Sequence, residues 1–373
     1  TDEFREVLYL DYVKLVAVDH PPEIEVHPTD KLMPSPFPPS EVWGLARPAR
    51  LRSVVGDDGM DRTEAVRAID GLFAPPGEPL PSPYRGMCHP LTLTMDFGPL
   101  DPQAPLVLAL TGWLQYGDAS TNIALSQDRS LTIIPPTIEV EVAPGDWRGI
   151  DVVVGMPAGK TKTILCDLDG KLPTGAARLR LSTTFEIRWD RIALFERVGL
   201  EDSRIRELSA VKTDLHWRGF SDLRARAAHH PSTPDYAAVS PTPPWRTTLE
   251  GWCTVYGDVT DLVTRRDNRL AILNAGDALT IEFDWTDLPP IPHGHDRTFF
   301  LYSVGWDKDG DHNVVGGTRV GPLPRDESID IAKDAQDAEA TKDTDADPDD
   351  HWRIRYNTRW VPADRFRPEN GSD

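Results

Sequence analysis

Residues Ala177–Trp189 read ARLRLSTTFEIRW, with apolar or β-branched side chains at every second position from Leu179 to Trp189. A period of two places apolar side chains on one face of an extended strand and polar side chains on the other. The same alternation recurs in LTLTMDF (91–97), TIEVEV (137–142) and LTIEFDW (279–285). One apolar face per strand is typical of sheets that pack on one side. The pattern predicts a mainly β protein made of tandem β-sandwich, jelly-roll domains.

Helix signals are few. The segment DRTEAVRAIDG predicts a short helix capped by Asp61 and stopped by Gly71. The segment SDLRARAAHH predicts a second one, capped by Ser221. The 35 prolines suit turns and edge strands better than helices.

Length and charge narrow the class of protein. A chain of 373 residues is long enough for two domains. Its net charge of −20 argues against nucleic acid or an anionic membrane surface as partner, because both attract basic patches. No apolar run approaches membrane-spanning length, so direct membrane insertion is not expected. Of the three cysteines, Cys166 is expected as a buried thiol, and Cys88 and Cys253 pair only if the fold brings them together.

The changes of composition along the chain predict six segments. Alternation stops after Glu196, a Pro-, Ser- and Thr-rich stretch follows, and an acidic run begins near Asp326. The predicted segments are 1–20, a closing strand of a preceding module or a docking strand; 21–200, a β-sandwich; 201–245, a linker with a short helix; 246–325, a smaller β domain; 326–350, an acidic flexible loop; and 351–373, a C-terminal docking strand and tail.

Two pairs of similar segments suggest that part of the chain arose by internal duplication. The segment YLDYVKL (9–15) is similar to RWDRIAL (188–194), and GWLQYGD (112–118) is similar to GWCTVYGD (251–258). The first pair resembles the strand that closes jelly-rolls of the galactose-binding-like kind. If both members close a sandwich, residues 1–18 finish a module that begins earlier.

Several longer segments, taken together, resemble a known bacterial family. They include YLDYVKLVAVDHPPEIEVHPTDK (9–31), LTGWLQYGDAS (110–120), LYSVGWDKDGDHN (301–313) and RYNTRWV (355–361). In this order they resemble the C-terminal part of large bacterial proteins that combine FG-GAP-type propeller repeats, an ASPIC/UnbV domain and tetratricopeptide repeats. The resemblance implies a piece or subunit of a multi-module assembly, and favours a periplasmic or extracellular location over the cytoplasm. It implies no reaction, because it carries no catalytic motif.

The most chemical-looking stretch is GWDKDGDHN (305–313), with aspartates at 307, 309 and 311. Alternating carboxylates in a turn supply oxygen ligands for calcium (Ca2+). An EF-hand needs Gly at its sixth position and Glu at its twelfth, and His312 and Thr318 stand there. Calcium at Asp307, Asp309 and Asp311 and an acidic turn therefore both remain open.

A second candidate metal site is HGHD, where His293 and His295 stand two residues apart. Two imidazoles and a carboxylate make half of a metal site, and His312 is a candidate third ligand. A Pro- and Gly-rich loop that carries exposed histidines explains the segment equally well. No GxSxG or Cys–His signature for nucleophilic catalysis is present.

Aromatic residues beside predicted turns are candidates for ligand binding. Sugar-binding sandwiches present such aromatic platforms, although aromatic residues at strand ends are also ordinary core residues. The candidates are Trp113, Tyr116, Trp252, Tyr256 and Trp306.

The sequence thus predicts a non-catalytic structural or protein-interaction module, whose partners are other protein subunits or modules. One alternative is a carbohydrate-binding module that uses the aromatic residues. The other is a metal-dependent hydrolase, for which the histidines of HGHD would have to converge on the aspartates.

Overall fold

The computed structural model describes residues 4–34, 40–201, 204–224, 230–326 and 351–367. The fold is mainly β, with 46% strand and 7% helix, and this confirms the predicted class. The acidic segment predicted as a loop, from 326 to 350, lies outside the described residues except for Asp326.

The first module, residues 21–200, is a sandwich of two five-stranded sheets. One sheet has the order β4 (Ser53–Gly56), β5 (Met87–Asp96), β10 (Arg178–Phe185), β7 (Thr137–Ala143) and β8 (Asp146–Gly149). The other has the order β2 (Glu25–Pro28), β3 (Val42–Ala46), β11 (Ile187–Val198), β6 (Leu106–Leu114) and β9 (Lys162–Asp167). Buried side chains from both sheets, such as Met95, Leu108 and Leu179, form one core between them.

The second module consists of β1 (Glu6–His20) and the described residues from 204 to 367. One edge of β1 pairs with β12 (Ile205–Trp217) and β17 (Ala271–Asn274), and its other edge pairs along its whole length with β19 (Asp296–Asp309). The far part of β12 pairs with β16 (Gly257–Asp258) and β18 (Asp277–Phe283). Residues predicted as a closing or docking strand therefore supply the central strand of this sheet.

Two small sheets and the helices complete the structure. The small sheets pair β13 (Phe220–Arg224) with β14 (Thr233–Ser240) and β15 (Gly251–Cys253) with β20 (Arg359–Val361). The helices are α1 (Ala119–Gln127), α2 (Thr260–Val263), α3 (His351–Tyr356) and a 3-10 turn (Glu64–Val66). The segment from 351 to 361, predicted as a strand, is thus a helix followed by a short strand.

Both sequence-predicted helices differ from the structure. Within 61–71 only Glu64–Val66 is helical. The helix predicted to start at Ser221 is wrong over its described residues, because they belong to β13. Phe220 begins that strand and packs edge-to-face on Trp217 and Trp245, and this packing overrides the local helix signal.

The same bulge occurs in the central strands of both modules. In β11 the extra residue is Asp190, and β6 has Gly112 opposite that point. In β1 the extra residue is Asp11, and β19 has Gly305 opposite it. A Cβ would lie 2.7 Å from a backbone oxygen of the bulged strand at Gly112 and 2.3 Å from one at Gly305, so both positions need glycine.

A threonine turn is repeated as well. Thr63 and Thr260 each donate, with the backbone N–H and with the hydroxyl, to the side chain of the aspartate two residues earlier. Each hydroxyl accepts a hydrogen bond from a neighbouring strand, from Val54 N–H in β4 and from Thr213 N–H in β12. The strands β11, β6, β4 and β5 of the first module therefore correspond to β1, β19, β12 and β18 of the second.

This correspondence between strands changes one of the two pairs of similar segments found in the sequence. The pair YLDYVKL and RWDRIAL is structurally equivalent, since it contains the two bulged strands. The segment GWLQYGD (112–118), however, matches GWDKDGD (305–311) and not GWCTVYGD (251–258). The sequence comparison matched 112–118 to the wrong segment, because the register of strand pairing is not visible in the sequence.

The second module has fewer strands than the first in the part of the chain that the structure describes. In the first module β9 lies beside β6 and β10 lies beside β5. No described strand lies in the corresponding places beside β19 and β18. Within the described part of the chain, no strand therefore covers the outer edges of β19 and β18.

Candidate functional site

A cleft with a volume of about 1330 Å3 lies between the two modules. Residues Phe299–Ser303 of β19 line one wall, together with Lys14 of β1. Trp43, Lys162 and neighbouring residues of the first module line the other wall. Residues 299–303 of β19 therefore border this cleft.

Two large apolar side chains of β19 are exposed. The side chain of Leu301 is 59% exposed and that of Phe299 is 45% exposed. Their partners across the strand pair are Leu15 and Ala17 of β1. Exposed apolar residues on a long edge strand are unusual in a protein that stays alone, because such an edge readily pairs with another chain.

Two of the three sequence-predicted aspartates belong to a carboxylate cluster at the far end of β19. Asp309 lies opposite Glu6 in the strand register, and ligand oxygens of Glu6, Asp307 and Asp309 all lie within 4.8 Å of one another. No described Lys or Arg forms an ion pair with these three groups. The third predicted residue, Asp311, is outside the cluster and accepts a hydrogen bond from Asn313 N–H.

Burial and mutual repulsion disfavour ionisation in this cluster. Burial, with the charges of Asp307 and Asp309, raises the pKa of Glu6 to about 7. Burial, with the charges of Asp307, Asp118 and Asp311, also raises the pKa of Asp309. Glu6 and Asp309 therefore hold a proton more tightly than isolated carboxylates do.

The cluster lies where loops from both modules meet. Asp118 of the first module caps α1 by accepting a hydrogen bond from Thr121 N–H. Two residues beyond it, Ser120 Oγ accepts a 2.7 Å hydrogen bond from Asn313 Nδ2 of the second module. Asn313 also lies two residues beyond the matching aspartate, so the modules touch through equivalent positions.

Calcium takes about six to eight oxygen ligands, and this cluster offers only three carboxylates. It is also the only group of three or more His, Cys, Asp or Glu side chains with metal-ligand spacing in the described part of the chain. His295 Nδ1 contacts the backbone oxygen of His293, and His312 Nε2 contacts Arg5. The structure thus does not bring the predicted histidines to the aspartates.

Three of the five predicted aromatic residues make contacts that hold them in the fold. Trp113 is half-buried beneath the Arg188 guanidinium, 5.2 Å from its ring centroid. Trp306 packs against the core of the second module. Tyr116 is exposed, with its ring 4.4 Å from the Arg85 guanidinium and edge-to-face with Phe4.

The other two aromatic candidates lie near β15 and β20. Trp252 pairs across the strands with Trp360, and their side chains are 54% and 49% exposed. The two rings meet edge-to-face at 5.2 Å and 70°. Tyr256 donates a hydrogen bond to Asp277 and stacks with Arg359, so its hydroxyl has a structural partner.

Sequence reasoning did not identify Glu6, Phe299, Leu301 or Trp360 as site residues. Glu6 joins Asp309 only through pairing of distant strands, which leaves no local signal. Phe299 and Leu301 lie in the apolar run FFLY (299–302), which is typical of a core strand. They are exposed because no described strand lies beside this edge of β19. Only Trp360, in the segment RYNTRWV, followed the same rule of aromatic residues beside turns.

All three cysteines are buried free thiols, which confirms the expectation for Cys166 and separates Cys88 from Cys253. Among the described residues no helix has the length and apolar character to cross a membrane. No protein-family model matches the sequence, and no curated protein matches it significantly.

Proposed function

We propose that this chain is a non-catalytic β-sandwich interaction module that works as part of a larger protein assembly. The observation that carries the proposal is the exposed strand β19, whose counterpart β6 is fully covered in the first module. The described residues thus form a more complete and a less complete version of one arrangement. A partner protein that covers β19 would complete the second version.

The apolar side chains of β19 give association a driving force. Full burial of a Leu or Phe side chain stabilises by about 1.5–3 kcal/mol each. Leu301 and Phe299 are about half exposed and would contribute part of that amount. A few residues buried at the centre of an interface usually carry most of the binding energy, while the contacts around them exclude water.

Carbohydrate binding is a second candidate, favoured by the exposed pair Trp252 and Trp360. Their edge-to-face geometry supports it less well than a coplanar pair would, because stacking on a sugar needs a flat aromatic face. A metal-dependent hydrolase has no such support, since the histidines lie apart from the carboxylates. The periplasmic or extracellular location stays a prediction that rests on the family resemblance.

The interaction function is tested by capture of partners with the purified chain from an extract of its source organism. Wild type is compared with the double variant Phe299→Asp/Leu301→Asp and with a control, Leu223→Asp, whose side chain is 62% exposed on β13. A protein that wild type and control retain, that the double variant loses, and that binds again when purified, supports the function. If no purified protein binds wild type in this manner, the interaction function is wrong.

A further inference from the structure

No described strand donates to or accepts from the backbone groups on the outer edge of β19. Successive residues of a strand point their N–H and C=O groups to opposite edges. Just beyond the strand, Gly310 N–H donates to Arg5 O, so even-numbered residues face β1 and odd-numbered residues face outwards. In the stretch from 299 to 305, the groups on the open edge therefore belong to Phe299, Leu301, Ser303 and Gly305. None of these four residues makes an outward backbone hydrogen bond in the structure.

The first module shows what covers such an edge. Strand β6 corresponds to β19, and its outer edge pairs antiparallel with β9. In that register Leu108 lies opposite Cys166, and Gly112 lies opposite Lys162. These positions of β6 correspond to Leu301 and Gly305 of β19. The open stretch of β19 thus matches the stretch of β6 that β9 covers.

We propose that the outer edge of β19 binds an extended strand of a partner polypeptide, added antiparallel in the place that β9 takes in the first module. This inference rests on the proposed interaction function and names the class of partner. Main-chain hydrogen bonds from Leu301, Ser303 and Gly305 hold the added strand, and its side chains select it. An edge strand with this many free groups is the usual template for such an addition.

The chemistry of β9 and of the cleft specifies the added strand. Residues Thr163–Cys166 of β9 are all buried, so an apolar or β-branched run of about four residues is expected. Four Lys or Arg side chains and three carboxylates line the cleft, so the cleft is close to neutral in a chain of net charge −20. An uncharged extended segment therefore enters without the repulsion that the rest of the surface exerts on acidic partners.

A peptide with the sequence of residues 160–169, KTKTILCDLD, and with Cys166→Ser is the probe. It is titrated into the full chain while amide hydrogen exchange is followed residue by residue. Binding is expected to slow exchange at Leu301 and Ser303, whose amides face outwards. Ser303→Pro removes one outward N–H without breaking the ladder to β1, and it should weaken binding at least about tenfold. Ser303→Ala keeps that N–H and should bind like wild type.

Three results would contradict the proposal that a partner strand adds to β19. In the first, the amides of Leu301 and Ser303 are not protected from exchange at about 1 mM peptide. In the second, the Ser303→Pro variant binds the peptide with the same affinity as wild type. In the third, these amides are protected without peptide, and the protection grows with protein concentration. The last result would identify a second copy of the chain as the occupant. A captured partner that is lost with Phe299→Asp/Leu301→Asp but retained by Ser303→Pro would leave the interaction function standing. Strand addition alone would then fail.

Discussion

Asp11 and Asp190 hold the same position in the two modules, and each accepts hydrogen bonds from two successive backbone N–H groups. Each is the buried extra residue of a bulge, 0% and 1% exposed respectively. Oδ1 of Asp190 accepts from the N–H groups of Asp70 and Gly71. Oδ1 of Asp11 accepts from two successive N–H groups as well, those of Asp267 and Asn268. The second residue of each pair has a positive φ, +75° at Gly71 and +65° at Asn268.

Loss of the Asp11 side chain should destabilise the second module strongly. Asp11→Ala leaves two partly buried N–H groups without an acceptor, which costs about 2–4 kcal/mol in free energy of unfolding. Asp11→Asn keeps an acceptor oxygen and should cost about 1 kcal/mol or less, because burial already raises the pKa of Asp11 to about 6. Urea unfolding of both variants measures the difference. Equal losses for Ala and Asn would show that the acceptor oxygen is not what matters.

Glu6 should make the protein less stable as the pH rises. Its pKa is about 7 in the folded chain against an ordinary value of 4.5, so the folded state keeps a proton that the unfolded state releases. The stability that this proton provides is complete below pH 4.5 and is lost as the pH rises through about 7. At pH 8, the free energy of unfolding of Glu6→Gln should therefore be about 1–2 kcal/mol higher than that of wild type.

The melting temperature as a function of pH measures this effect, with exposed Glu23→Gln as control. Parallel curves for wild type and Glu6→Gln between pH 5 and about 8 would contradict it.

Calcium should bind the carboxylate cluster only weakly, because three carboxylates that each offer one oxygen supply at most about half of the six to eight oxygens that it takes. Millimolar calcium should raise the melting temperature of the wild type by a few degrees over EDTA, since a ligand of the native state stabilises by mass action. Asp309→Asn should abolish the shift. Asp311→Asn should retain it, because Asp311 lies outside the cluster. If Asp309→Asn and Asp311→Asn both abolish the shift in melting temperature, the cation binds in the loop around Asp311 and not at the cluster alone.

The pair Arg359 and Asp277 should anchor β20 to the second module. Asp277 is fully buried and accepts hydrogen bonds from Arg359 and Tyr256, so removal of the cation leaves a buried charge without its partner. Arg359→Met should cost about 3–5 kcal/mol. Arg355→Ala removes an exposed pair with Asp261 and should cost less than about 1 kcal/mol. Similar melting temperatures for the two variants would contradict the anchoring role.

The sequence predicted strands well and their neighbours poorly. Alternation in ARLRLSTTFEIRW correctly indicated extended chain, yet the structure divides it into β10 and β11, which belong to different sheets and meet at Glu186. A strand that turns a corner keeps its alternation, so the break has no signature. The helix predicted at Ser221 failed because burial of Phe220 against distant aromatic residues decided the local structure.

The candidate site was predicted only in part for a related reason. Asp307 and Asp309 stood out because they are close in sequence. Glu6 is 303 positions before Asp309 and joins it only through the pairing of β1 with β19. The open edge of β19 depends on a strand that is present in the first module and has no described counterpart in the second. No residue in β19 itself records that difference.

Amide hydrogen exchange of the free protein is the most direct test of whether the outer edge of β19 is uncovered. Exchange at Leu301 and Ser303 should be fast although both lie inside a strand of 14 residues. Their inward neighbour Tyr302 should be protected by β1, and Leu108 and Leu110, the equivalents of Leu301 and Ser303 in β6, should be protected by β9. If the amides of Leu301 and Ser303 exchange as slowly as those of Leu108 and Leu110 in the monomeric protein, the outer edge of β19 is already covered and cannot accept a partner strand.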